Sequence, residues 1–151
     1  MVRKLEQPGS VHFHFEKAKV SLKNRTRLKK FIDKLVSQEK KKVVNLNYIF
    51  CRDKDLLKIN QEHLNHDFYT DVITFDLSSS SREIFADIYI SVDRVKENSK
   101  FVESSIREEL HRVMFHALLH LCGYDDKTAR QRNLMRRKED FYLDLYFKRF
   151  T

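Results

Sequence analysis

Apolar positions along this chain move between a period of two and a period near 3.6, and those changes mark out its elements. Val11, Phe13 and Phe15 alternate with His12 and His14, which predicts a strand with one buried face. From Ser21 to about Ser37, Leu28, Phe31, Ile32, Leu35 and Val36 form a helical stripe with Lys and Arg opposite. Val44, Leu46, Tyr48 and Phe50 alternate again, giving a second strand that ends at Cys51. Asp53 is placed to cap a helix whose buried side carries Leu56, Leu57 and Ile59, with Leu64 near its end. A loop at Asn65, His66 and Asp67 leads into a short strand from Val72 to Phe75. The polar run from Leu77 to Arg82 predicts a hairpin loop, and Ile84 to Ile90 its partner strand, with Ser91 capping a short helix to about Lys100.

The next stretch, Ser105 to Cys122, contains neither Gly nor Pro, opens on the capping pair Ser105 and Glu108, and stops at Gly123. It reads as one helix with Ile106, Leu110, Val113, Met114, Ala117, Leu118 and Leu121 on its apolar side. Thr128 to Phe150 repeats the helical spacing through Leu134, Phe141, Tyr142, Leu145 and Phe150, and Met1 to Ser10 reads as a loose lead-in. The order predicts an α+β fold: a small mixed four-stranded sheet, a hairpin at one side, about five helices packed on it, and a single domain over residues 1–151.

Chemistry concentrates at the end of the Gly-free helix. His116 and His120 are four residues apart and emerge roughly 40° apart at the edge of the apolar stripe, so they can clamp one metal ion. Gly123 lets the chain reverse so that Asp126 supplies a third ligand. Three protein ligands with a position left for water are the pattern of a catalytic zinc site; zinc is the first expectation, with manganese, nickel and iron(II) left open. Without a metal, the same two imidazoles would be edge residues hydrogen-bonded to neighbours. Zinc peptidases built on H-E-x-x-H carry a general-base Glu where this chain has Ala117, which argues against proteolysis. Glu109, seven residues before His116, projects on the same face and is the candidate base or orienting group.

Net charge changes the picture next. A formal +8 and a sequence pI near 9.5 favour a polyanionic partner, nucleic acid before membrane surface. Cys51 and Cys122 show no C-x-x-C pairing and are expected to be reduced thiols; Cys122 faces the core and is not counted as a ligand. No apolar run approaches the ~18 residues of a membrane span, and the start has no signal-peptide core, so a cytoplasmic location is expected.

Three further motifs carry a family resemblance. Ile59-Asn60 followed by Tyr69-Thr70-Asp71-Val72-Ile73-Thr74-Phe75, then Ala86-Asp87-Ile88-Tyr89-Ile90-Ser91, then Glu109-Leu110 leading into His116 to Asp126, with Met135 and Glu139 downstream, resemble the YbeY family of metal-dependent endoribonucleases. The resemblance implies a metal held by His116, His120 and Asp126, single-stranded RNA as substrate, and action on ribosomal RNA at the ribosome, including the 3' end of 16S rRNA. Three departures accompany it. Asp126 stands where the family's third ligand is usually His, Leu64 where it often has a substrate-facing Arg, and Ala86 where it has Gly. Asp71 and Asp87 are expected to stabilise loops around the site. Two other classes remain beside the nuclease: a non-catalytic, metal-stabilised ribosome-assembly factor, and a metallohydrolase of non-RNA substrates.

Overall fold

The structure, a computed structural model, describes residues 10–66 and 69–149; the lead-in over residues 1–9, Asp67 of the predicted loop and Phe150 of the last predicted helix lie outside them. Strand β1 (Ser10–Phe15) leads through α1 (Arg25–Gln38) to β2 (Lys42–Cys51), and α2 (Asp53–Leu64) leads to the hairpin β3 (Val72–Asp76) and β4 (Glu83–Ser91). Helices α3 (Val92–Phe101), α4 (Ile106–Leu121) and α5 (Ala129–Phe147) complete the chain. The strands lie in the order β1-β2-β4-β3; β1 and β4 run parallel to β2, and β3 runs antiparallel to β4. This is the mixed four-stranded sheet with five helices and an edge hairpin that the patterning predicts.

One face of the sheet carries the main core. Val11, Leu46, Tyr48, Phe50, Ile84, Ile88 and Ile90 point from the strands into a cluster shared with α1, α4 and α5. Helix α4 is more deeply placed than a one-sided stripe implies. Besides the expected positions, Glu109, His111, Phe115 and Leu119 are buried, and of the expected apolar positions Ile106 in the first turn is exposed. Phe31 of α1 joins the helices by ring contacts to Phe115, Tyr142 and Tyr146. Tyr48, fully buried on β2, ties sheet to helix by donating to the Met114 carbonyl at 3.1 Å.

Elsewhere the details depart from the periodic reading, each for a local reason. The pairing of β2 with β4 slips between Val43 and Asn45, so Val43 turns inward and Val44, expected inside, faces solvent. Helix α1 starts at Arg25, four residues later than the stripe suggests, because Leu22 buries before the helix begins and Asn24 takes a left-handed conformation at φ 57°. Asp53 does not cap α2; Arg52 holds the cap position, and the Asp53 carboxylate instead accepts from Ser91 Oγ and Arg94 Nε, both at 3.2 Å, joining α2 to α3. In α5 the buried stripe is Met135, Tyr142, Leu143 and Tyr146, and Leu134 and Phe141 face outward.

The basic clusters are partly structural. Arg25, Arg27 and Lys29 lie over the rings of Phe15, Tyr146 and Phe13, and Lys41 Nζ donates to Leu121 O at 3.2 Å, closing the end of α4.

His111 gives α4 a pH dependence of its own. Its ring is 1% exposed, stacks on Tyr146 and holds the Arg107 carbonyl through Nδ1 at 2.7 Å. Burial, not compensated by any facing carboxylate, pulls its pKa from 6.5 down to about 4. Between those values the unfolded chain binds a proton that the folded one does not. The stability is therefore complete above pH 6.5 and is lost as the pH falls toward 4, by at most about 3 kcal/mol. His111→Phe, which keeps the ring contacts and removes the titration, is expected to lose less stability than the parent between pH 7 and 4.5 in denaturant unfolding; equal losses would contradict this assignment.

Candidate metal centre

The polar edge of α4 delivers two imidazoles to one point. His116 Nε2 and His120 Nε2 stand 3.1 Å apart, with the rings nearly perpendicular at 85°. Past the helix, Gly123 takes φ +105°, a conformation that strains any other residue, and the chain reverses there. The turn returns Asp126 to the pair, its Oδ2 lying 3.2 Å from His120 Nε2 and 3.5 Å from His116 Nε2. A tetrahedral zinc ion with bonds near 2.05 Å keeps its ligands about 3.3 Å apart, so these three donors have the spacing that one such ion needs. Among the described residues, His116, His120 and Asp126 form the group able to hold a metal, and the exposed Asp125 stands outside it. Cys122 packs against the core, its thiol pushed up to about 12 by burial, and takes no part.

The surroundings fix these donors. Glu139 of α5 accepts from His116 Nδ1 at 2.5 Å, and since a carboxylate only accepts, the ring must carry its proton on Nδ1 and turn the Nε2 lone pair to the site. Arg112, one helical turn before His116, holds the other oxygen of Glu139 at 2.9 Å and Asp140 at 2.8 Å. Burial disfavours a charged His116, but Glu139, with Asp126 and Asp71 behind it, outweighs that and raises its pKa above the ordinary value. The turn that carries Asp126 is tied from two sides. Tyr124 donates to Glu39 at the end of α1 at 2.7 Å, a carboxylate also held by Tyr142 and Lys138, and Arg132 donates to the Lys127 carbonyl at 2.9 Å.

The centre opens into a cleft of about 280 Å³ lined by Asp71, Glu109, Arg112, Val113, His116, Asp126, Arg132, Met135, Arg136 and Glu139. Glu109 is 8% exposed, and burial raises its pKa against the opposing pull of Arg112. Asp71, just before β3, is raised by burial in the same way, opposed by His116.

Residues 11–146 match the family described as endoribonuclease YbeY. The chain belongs to that family. Among curated YbeY relatives, the protein named endoribonuclease YbeY from Cytophaga hutchinsonii is 44% identical over 136 residues, covering 90% of this chain and 95% of the relative. One of the same name from Flavobacterium psychrophilum is 49% identical over 116 residues, covering 77% and 82%. The solution structure of a Thermotoga maritima protein superposes with a TM-score of 0.65 at 25% identity, covering 91% of this chain and 89% of that one. No helix among the described residues is long and apolar enough to cross a membrane.

With the YbeY assignment in hand, the expected residues divide by position. His116, His120 and Asp126 converge, and Glu109 and Asp71 line the same cleft. Asp87 does not join them; it lies on the opposite face of the sheet, where it accepts from Asn47 Nδ2 at 3.0 Å. Leu64 ends α2 with its side chain exposed and is outside the cleft. The contacts of Glu139 on α5 with Arg112 and His116 on α4 join two helices and are not revealed by periodicity within either, although the i, i+4 spacing of Arg112 and His116 places both on one face.

Two outcomes test this geometry. Zinc at one hundred times its dissociation constant should stabilise the protein by about 2.7 kcal/mol in thermal unfolding, and His120→Ala should abolish the gain. Glu139→Gln, which keeps an acceptor for Nδ1 and removes its charge, should weaken zinc binding about 10–100-fold in a chelator competition; unchanged affinity would make Glu139 only a packing residue.

Proposed function

We propose that this chain is a divalent-metal endoribonuclease of single-stranded RNA, with zinc the first candidate metal, His116, His120 and Asp126 its ligands, and Glu109 the group that moves a proton. The observation that carries the reading is the convergence of three metal donors within 3.1–3.5 Å at an open cleft in a chain of the YbeY family. When bound, a metal there would polarise a phosphoryl oxygen and offset the charge that develops during attack. Glu139 holds His116 in the ligating tautomer, Arg112 holds Glu139, and Asp126 closes the set from the turn after α4. Glu109, with a raised carboxyl pKa in the same cleft, can take a proton from the attacking hydroxyl and return it to the leaving oxygen. The name of the relatives, endoribonuclease, supports RNA as substrate, and the +8 charge suits a polyphosphate. The same reading places the chain in the cytoplasm, acting on ribosomal RNA at the ribosome, with the 3' end of 16S rRNA as target.

The test is cleavage of a labelled single-stranded RNA by the parent and by His120→Ala, with metal content determined for each. The parent should cut and the folded variant should lose both metal and activity; equal activity in both would point to a contaminant and remove the cleavage claim. Glu109→Gln should bind metal normally and lose about 10²-fold or more in kcat. Ribosome binding without any cleavage would shift the reading to a non-catalytic assembly factor.

A further inference from the structure

We propose that Arg136 is the residue that binds the RNA phosphate beside the metal centre, an inference that rests on the nuclease reading above. Four carboxylates line the cleft, Asp71, Glu109, Asp126 and Glu139, and a phosphodiester entering it meets their repulsion. Cations must offset that repulsion, and three guanidinium groups share the lining.

Two of the three are committed. Arg112 keeps 13% of its side chain exposed and spends its fork on Glu139 at 2.9 Å and Asp140 at 2.8 Å. Arg132 donates to the Lys127 carbonyl at 2.9 Å and toward the Asp126 carbonyl at 3.4 Å, and so ties down the ligand turn. Arg136 differs from both. Its side chain is 60% exposed, and among the described residues its carboxylate neighbour within 4 Å is Glu139 Oε1 at 3.8 Å. That oxygen is already held by Arg112, and the other oxygen of Glu139 by His116. Arg136 therefore brings a planar, two-pronged donor to the cleft with most of its hydrogen-bonding capacity unspent, the geometry that matches two phosphate oxygens at once. It lies one turn from Arg132 and three residues from Glu139, on the face of α5 that borders the metal ligands, whereas no cation comes from position 64, which is Leu. Arg137, its neighbour in sequence, is exposed but absent from the cleft lining.

The experiment measures binding of a short 2'-O-methyl oligouridylate, which keeps every phosphate while resisting cleavage, to the zinc-loaded protein by fluorescence anisotropy across a salt series. Arg136→Gln should weaken binding about tenfold and flatten the slope of log affinity against log salt by about 0.7, with zinc content and melting temperature unchanged. Arg137→Gln should stay within about twofold of the parent, and Arg136→Lys should recover part of the loss, since it restores charge without the fork. A loss in Arg136→Gln no larger than that in Arg137→Gln, or a loss explained by missing zinc, would overturn the proposal. Cleavage of unmodified RNA is scored separately. The expected binding pattern in a protein that does not cut would support the phosphate contact while removing the nuclease reading, and failure of the parent to bind would remove both.

Discussion

The burial of α4 on almost every side is the constraint on which the rest of the molecule depends. A helix surrounded by sheet, α1, α3 and α5 can keep polar side chains only along the narrow edge where the core reaches solvent, because an unpaired polar group elsewhere would face its full desolvation cost. Glu109, Arg112, His116 and His120 all leave through that edge, and their spacing of three and four residues is the helix repeat itself. The one polar residue turned inward, His111, stays neutral as a consequence. The cleft exists where the packing opens, and the helix decides which residues meet there.

Burial alone would leave these groups badly defined; α5 supplies the second half of the definition. Glu139 is 5% exposed and joins Arg112 to His116, so one carboxylate on α5 fixes two residues on α4 and with them the angle between the helices. A buried carboxylate is costly unless it is paired on both oxygens, and here it is. The turn that carries Asp126 gains its rigidity from outside the site, through Tyr124 on Glu39, Lys41 on the end of α4 and Arg132 on Lys127. Residues at the far end of α1 thus act on the position of Asp126 without approaching it.

What was legible in the sequence follows from which interactions are local. Strand and helix periods are set by neighbours two to four positions away, so the α+β order, the edge hairpin, the Ser91 cap and the Ser105 cap could be read directly, as could the convergence of His116 with His120 and the Gly123 reversal. Features settled between distant segments could not. The slip near Val44 depends on how β2 meets β4, Asp53 is drawn from its cap by Ser91 and Arg94, and the buried stripe of α5 is selected by Phe31 and by His116. Asp87 illustrates the limit: its motif suggested a place near the site, but strand alternation sends it to the opposite face from Ala86 and Ile88, where Asn47 pairs with it.

The charge balance of the cleft connects these pieces to Asp126. With Asp126 as the proposed third ligand, the site would carry one more negative charge than three imidazoles would give, next to Asp71, Glu109 and Glu139. That arrangement would favour a divalent cation by charge and leave a water on it less acidic, shifting the burden of proton removal toward a protein base. In the proposed mechanism Glu109 would carry that burden, its affinity for a proton raised by burial. The same surplus of negative charge makes the approach of a phosphate harder, so the more the ligand set relies on Asp126, the more the cleft needs a cation at its mouth.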